Sequence, residues 1–310
     1  MEPSSIKDTS QKKKRAICDR CKFPKEKACI CAALPDTPLS TLFRRCRVIV
    51  LQHPHELRRK NRSLPLVELA LFGKHLGNEE QKNSSTTTDR DFVMKTIVGR
   101  RIGENTDDAV SKLLIDPNEV VALVFPHPNA MDLEDGLLLA ESKLKDNSQS
   151  QEGKANESHS DKKMTLIFID ASWKHAKEMD NKTEAAGVWP KNLIRVQLTP
   201  STSPTANQEE TTSSDSKPAF IQRRFQIRAP PSPDHLSTAE CMAWIASRVE
   251  QNSEIYEGIM KVLDYMVELW RGFASSDGSD DKRKGRGSFT DGDGCREMTQ
   301  KRRKITSNKK

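Results

Sequence analysis

The stretch "LIFIDASWKHAKEM", residues 166–179, runs a short apolar strand into Asp170 and becomes a polar, helix-like pattern a few residues later. A strand that reads as a near-continuous apolar run is usually buried on both faces, as in parallel sheets. A helix directly behind it supplies the crossover that parallel pairing needs. Ligands of such sheets bind beyond the carboxyl ends of the strands, so Asp170, Ser172 and Trp173 stand where chemistry is expected.

The same alternation recurs on both sides of this stretch. "CRVIVLQ" (46–52), "MKTIVGRRI" (94–102), "EVVALVF" (119–125), "MTLIFID" (164–170) and "NLIRVQL" (192–198) read as strands. Helices are expected at 64–76, with Pro65 near the first turn, at 106–114 started by Thr106, at 130–144 and at 172–179. A capped helix over 237–251 continues toward 256–270. The expected fold class is α/β with a mostly parallel sheet.

Polar segments at 77–89, 145–163 and 199–218 are rich in Ser, Thr, Asn, Gln and charge. They have almost nothing to bury and read as disordered inserts in one domain. The composition agrees: 35% of residues are hydrophobic and 31% charged, which is thin for a fully folded chain of 310 residues. The net charge of +7 is unevenly placed. Residues 281–310 hold 11 Lys and Arg against 4 acidic residues, so this stretch accounts for the whole surplus. Residues 1–15 read as a disordered basic N-terminus, and 274–310 as a disordered basic tail. The tail suits nonspecific RNA affinity or nuclear import. No stretch approaches the roughly 20 apolar residues that span a bilayer. The basic start lacks the apolar run of a signal peptide. The cytosol, the nucleus or both are therefore expected, where thiols stay reduced.

Seven cysteines then need another explanation. "CDRCKFPKEKACIC" brings Cys18, Cys21, Cys29 and Cys31 together as a Cys-x-x-Cys pair followed by a Cys-x-Cys pair. Four thiolates within reach of one tetrahedral centre point to Zn²⁺ in a structural role, with no position left open. A zinc knuckle is expected over 16–45. Cys46 and Cys241 lie in apolar contexts and read as core residues.

Polar clusters follow several strands. After the first come His53, His55 and Glu56, backed by Arg58, Arg59, Lys60 and Arg62, a run suited to phosphate oxygens. His-x-His-Glu without a further ligand is a weak metal motif. "FPHPNAMDLED" follows another strand, with Phe125 and Pro126 at the turn, and a role as helix-dipole partners is enough to explain its acidic residues. Asp170 alone can be read as a helix N-cap and Trp173 as a packing residue. Ser237 with Glu240 matches a capping box, and Arg228 precedes a Pro-rich loop. No Gly-x-Gly-x-x-Gly follows a strand and no phosphate-binding Lys loop occurs, which argues against Rossmann enzymes and NTPases.

Taken in order, "CxxC…CxC", "QHPHE…RRKNRS", "FPHPNAMDLED", "LIFIDASWKHAKEM" and "LSTAE" resemble the DTW-domain family, the tRNA-uridine aminocarboxypropyltransferases. The resemblance covers about residues 16–270 apart from the polar inserts. The Asp-x-Thr/Ser-Trp element of the family is matched by Asp170, Ser172 and Trp173. Ser63 departs from the expected Asn-Thr pair.

The resemblance implies a SPOUT-like fold with a C-terminal knot-type pocket for S-adenosylmethionine, the catalytic domain occupying 46–273. The implied reaction moves the 3-amino-3-carboxypropyl group to N3 of a tRNA uridine and releases 5′-methylthioadenosine. Asp170 is the candidate base. Ser172, Trp173, Phe125, Pro126, Ser237 and Thr238 are expected around the donor. His53, Glu56, Arg58, Arg59, Arg62 and Arg228 are expected to meet RNA. No DNA and no membrane partner is expected. Two other readings compete: a noncatalytic zinc-bearing RNA-binding protein, and an RNA methyltransferase using the same donor.

Overall fold

The structure, a computed structural model, describes residues 15–59, 62–74, 92–103, 108–149, 163–198, 224–225, 227 and 236–276. Six strands form one sheet in the order β2-β1-β5-β3-β6-β4. They are β1 (Cys46–Gln52), β2 (Met94–Val98), β3 (Val121–Val124), β4 (Met131–Asp132), β5 (Met164–Asp170) and β6 (Ile194–Gln197). Every pairing is parallel. The central pair, β1 and β5, is in register from Cys46 opposite Met164 to Gln52 opposite Asp170.

Alternate residues of each strand feed two separate cores, as a pleat with period two requires. Val48, Val50, Leu166 and Phe168 point into one layer, and Ile49, Leu51, Ile167 and Ile169 into the other. The first layer is closed by α1 (Leu64–Phe72), α3 (Leu133–Gln149), α5 (Thr238–Glu250) and α6 (Ser253–Ser276). The second is closed by α2 (Asp108–Ile115) and α4 (Trp173–Ala185). The molecule is thus a sheet sandwiched between helices, and burial on both sides explains the unbroken apolar reading of β1 and β5.

This layering fixes where a crevice opens. The chain leaves β1 toward α1 on one face and leaves the neighbouring β5 toward α4 on the other. Exit loops that part to opposite faces between adjacent parallel strands leave a cleft at their carboxyl ends. On the second face, α4 is tied back to the sheet by Asp180, which is 1% exposed. Its carboxylate accepts from Arg195 on β6 at 2.9 Å and from the Trp189 indole at 3.0 Å.

Several boundaries differ from the sequence expectation. α3 runs to Gln149, five residues into the stretch 145–163 expected to be disordered. The two-residue β4 was not expected at all. The expected helix over 237–251 and its continuation are two helices, divided at Gln251, whose backbone is left-handed (φ 53°). Residues 77–89, 199–218 and Thr106, and nearly all of both termini, lie outside the described residues. Among the described residues, no helix is long and apolar enough to cross a membrane.

Candidate active site

The carboxyl ends of β1 and β5 meet through one side-chain bond. Gln52 closes β1 and Asp170 closes β5, and their register places them side by side. The Gln52 amide donates to Asp170 Oδ2 at 2.8 Å. The next residue repeats the tie on the backbone, the His53 N–H donating to the Asp170 carbonyl at 2.9 Å. Asp170 is therefore the last residue of a strand and not a helix cap. Ser172 takes the N-cap position of α4, in extended backbone, without capping the helix through its side chain.

Instead, Ser172 Oγ lies 3.0 Å from His175 Nδ1. The His175 ring stacks on that of His53 in parallel planes, with centroids 4.2 Å apart. His55 stands edge-on to both, at 4.7 Å from His53 and 5.2 Å from His175. The β1 exit is a tight turn in which the Glu56 N–H donates to the His53 carbonyl at 2.9 Å and the His55 N–H to His53 Nδ1 at 3.2 Å. Burial pushes the His53 imidazole down to about 4, and the neighbouring His175 and His55 add to the shift. It is uncharged near neutral pH.

His53 and Glu56 were expected to meet RNA, yet they are only 4% and 3% exposed. Glu56 is paired with Arg59 at 3.2 Å. Both side chains are held within the turn. Arg58 is exposed and Arg62 half-buried, both behind the same turn. Arg100 and Arg101 leave β2 beside it, where the Gly99 N–H donates to the Gln52 carbonyl at 3.1 Å. Arg228 and Lys60 lie outside the described residues.

Trp173, in the first turn of α4, is 39% exposed, and its ring lies 6.0 Å from that of Phe125 at the exit of β3. Part of an aromatic side chain is thus open to solvent two residues before His175. Phe125 is itself 8% exposed and donates its N–H to the Val196 carbonyl, with Pro126 next in the chain.

Ser237 and Thr238 belong to a separate network. The Ser237 side chain accepts from the Glu240 N–H, and the Glu240 carboxylate accepts from the Ser237 N–H at 2.8 Å, completing a capping box. The same carboxylate also accepts from the Arg224 and Phe225 N–H groups, at 2.6 and 2.8 Å. At the far end of α5, Glu250 accepts from the N–H groups of Arg44, Arg45 and Cys46, where β1 begins. A helix of ~20 Å packed on the sheet with its C-terminus at the strand start runs antiparallel to β1. Its N-terminus, with Ser237 and Thr238, faces the carboxyl end of the sheet.

At the other end of the chain the four expected cysteines converge. Ligand atoms of Cys18, Cys21, Cys29 and Cys31 all lie within 4.8 Å of one another. Cys18 and Cys31 sulfurs are 3.5 Å apart, and those of Cys21 and Cys29 are 3.8 Å apart. A tetrahedron with Zn–S bonds of about 2.3 Å has edges of about 3.8 Å, so the set fits zinc. The loop is shaped for it: Lys22 adopts φ 61°, and its N–H donates back to the Cys18 carbonyl at 2.9 Å. Backbone N–H groups of Cys21 and then Arg20 lower the Cys18 thiol to about 6, toward the thiolate a metal needs. Burial raises the Cys21 and Cys31 thiols instead.

Sequence reasoning missed two members of the cleft. Gln52 looked like the polar end of a strand, and only the register against β5 gives it a partner. His175 looked like part of a solvated helix face; its position three residues after Ser172 was the available signal.

A family model described as the DTW domain matches residues 15–271. Among curated proteins, tRNA-uridine aminocarboxypropyltransferase 2 of Macaca fascicularis is 24% identical over 257 residues, covering 83% of this chain and 64% of that protein. The protein of the same name from Mus musculus is 26% identical over 256 residues, with the same two shares. The tRNA-uridine aminocarboxypropyltransferase A of Arabidopsis thaliana is 25% identical over 257 residues, 83% of this chain and 81% of that protein. The chain thus spans less than two thirds of the length of the first two relatives. No solved structure matches it significantly.

Proposed function

This chain belongs to the DTW-domain family, and on that premise we propose that it is a tRNA-uridine aminocarboxypropyltransferase. The donor is S-adenosylmethionine and the acceptor is N3 of a tRNA uridine. The observation that carries this reading is the position of the Asp170-Ser172-Trp173 element, at the exit of β5 where the two central strands open a cleft.

The donor supplies a carbon made electrophilic by the adjoining sulfonium. Uridine N3 attacks that carbon as the carbon–sulfur bond breaks, and the bonding pair leaves on sulfur as 5′-methylthioadenosine. The N3 proton has to be taken up, and Asp170 is the carboxylate at the cleft, oriented by Gln52. The open face of Trp173 suits a sulfonium cation. The first-turn N–H groups of α4 suit the donor's carboxylate. Orientation then decides which carbon of the donor meets the nucleophile. Ser237, Thr238, Phe125 and Pro126 complete the donor side. Arg58, Arg62 and Arg100, cations around the β1 and β2 exits, suit tRNA phosphates. A knot-type pocket in a SPOUT-like arrangement is part of the same proposal.

Zn²⁺ at the four cysteines would supply a structural crosslink and take no part in transfer. The knuckle packs into the main core through Cys21 and Ile30, and Arg20 Nε donates to the Gly73 carbonyl at the end of α1.

The test is mass spectrometry of the by-product when purified protein meets S-adenosylmethionine and unmodified tRNA. Methylthioadenosine formed only with tRNA, and lost in Asp170→Ala, is the expected result. S-adenosylhomocysteine would make the protein a methyltransferase. No turnover on any tRNA, with RNA binding intact, would favour a binding protein.

A further inference from the structure

We infer that His53, His55 and His175 form a three-histidine site for a divalent transition-metal ion of the zinc class. The inference rests on these three side chains and not on the transferase reading.

One ligand nitrogen from each ring lies within 4.8 Å of the other two. Two of the rings come from the turn after β1 and the third from the first turn of α4, so an ion would join the two loops that part at the cleft. The donor set is imidazole alone. That chemistry suits zinc, copper, nickel or cobalt and not magnesium or calcium, which take oxygen ligands. Ser172 Oγ at 3.0 Å from His175 Nδ1 orients that ring and leaves Nε2 as the ligand atom. An outer partner on the second ring nitrogen is the usual support of a ligating histidine.

His53 needs one adjustment. Ligation at its Nε2 puts the ring proton on Nδ1, so the long 3.2 Å contact from the His55 N–H is given up on loading. One weak hydrogen bond is exchanged for a metal–nitrogen bond, and imidazole rings turn easily about their outer torsion. The stacked His53 and His175 rings turn apart in the same movement. His55 is exposed, so the cluster opens to solvent, and three imidazoles would leave a bound ion a fourth position for water. The His53 N–H donates to the Asp170 carbonyl, so the cluster and Asp170 share the same strand ends.

The experiment uses the untagged full chain, loaded with Zn²⁺, freed of excess ion, and assayed for zinc per chain. Wild type is expected to hold one more zinc than either His55→Ala or His175→Ala, whatever the thiolate cluster contains. His55→Ala removes an exposed side chain and is expected to melt as wild type does, so its loss of zinc is not a loss of fold. Titration of that increment should show an affinity at least about tenfold lower in each variant. With Co²⁺ in place of zinc, the increment should add visible absorption without the thiolate charge-transfer band of the cysteine cluster. Equal zinc in all three proteins overturns the inference, as does an extra ion that both variants retain. Neither result touches the by-product assay, so the two readings fail separately.

Discussion

Gln52 and Asp170 end neighbouring parallel strands and are joined by a 2.8 Å hydrogen bond from amide to carboxylate. Gln52 is 2% exposed, so this donor is fixed before any substrate arrives.

Asp170→Asn keeps an acceptor for Gln52 and removes the negative charge. Its stability should stay within about 1 kcal/mol of wild type, the size of one exchanged hydrogen bond. Transfer should fall by ~10²–10⁴ if the carboxylate takes the N3 proton. Gln52→Leu inverts the pattern: the charge stays but loses this donor, and stability should fall by about 2 kcal/mol. Parallel melts and by-product assays check both. An active Asp170→Asn protein would make Asp170 a positioning residue.

The knuckle should not melt on its own. Cys21, Ile30, Leu34 and Leu39 belong to the same core cluster as β1 and α1. Leu39 also lies against Gly258 of α6. A metal bound only by the folded state adds to its stability by mass action. A strong chelator, or Cys29→Ser, should therefore lower the melting temperature of the whole body in one transition. Two transitions in calorimetry, with the larger unshifted, would show an independent knuckle.

How much of this could be read from residues alone follows the range of the interactions. β1 and β5 were legible to the residue, because burial on both faces leaves an unbroken apolar run between polar ends. The four cysteines were legible because their ligand spacing is local. The capping box at Ser237 was equally local and is present. The end of α3 was not, since its last turn is made of polar residues that read the same in a helix or a loop. The histidine cluster was half visible. His53 and His55 are two residues apart, but His175 is brought in by the β1–β5 register across more than a hundred residues. Gln52 was hidden for the same reason.

Gly136 sets helix propensity against packing. It lies in α3 over β6, where an added Cβ would overlap Val196 Cγ1. Alanine favours the helix by up to about 1 kcal/mol. Forcing a methyl into a packed contact costs about 1–3 kcal/mol. Packing should win, and Gly136→Ala should lower the denaturation midpoint. Adding Val196→Ala should return part of the loss, giving a double mutant less unstable than the sum of the singles. Additive losses would mean that the helix shifts to accept the methyl.

Trp173 separates donor binding from fold. The residue is 39% exposed, and its ring lies 6.0 Å from that of Phe125. Trp173→Ala therefore forfeits only part of the ~3–5 kcal/mol that loss of a buried aromatic costs. A cation over the face of an indole is worth about 0.5–2 kcal/mol. If Trp173 faces the sulfonium, KM for S-adenosylmethionine should rise by up to about 30-fold on that scale. The KM for tRNA should move little, and Trp173→Phe should recover much of the loss. Steady-state kinetics over both substrates, with melts of the same proteins, distinguish the cases. An unchanged donor KM with a large fall in stability would make Trp173 a packing partner of Phe125 and shift the donor's recognition to the α4 amides.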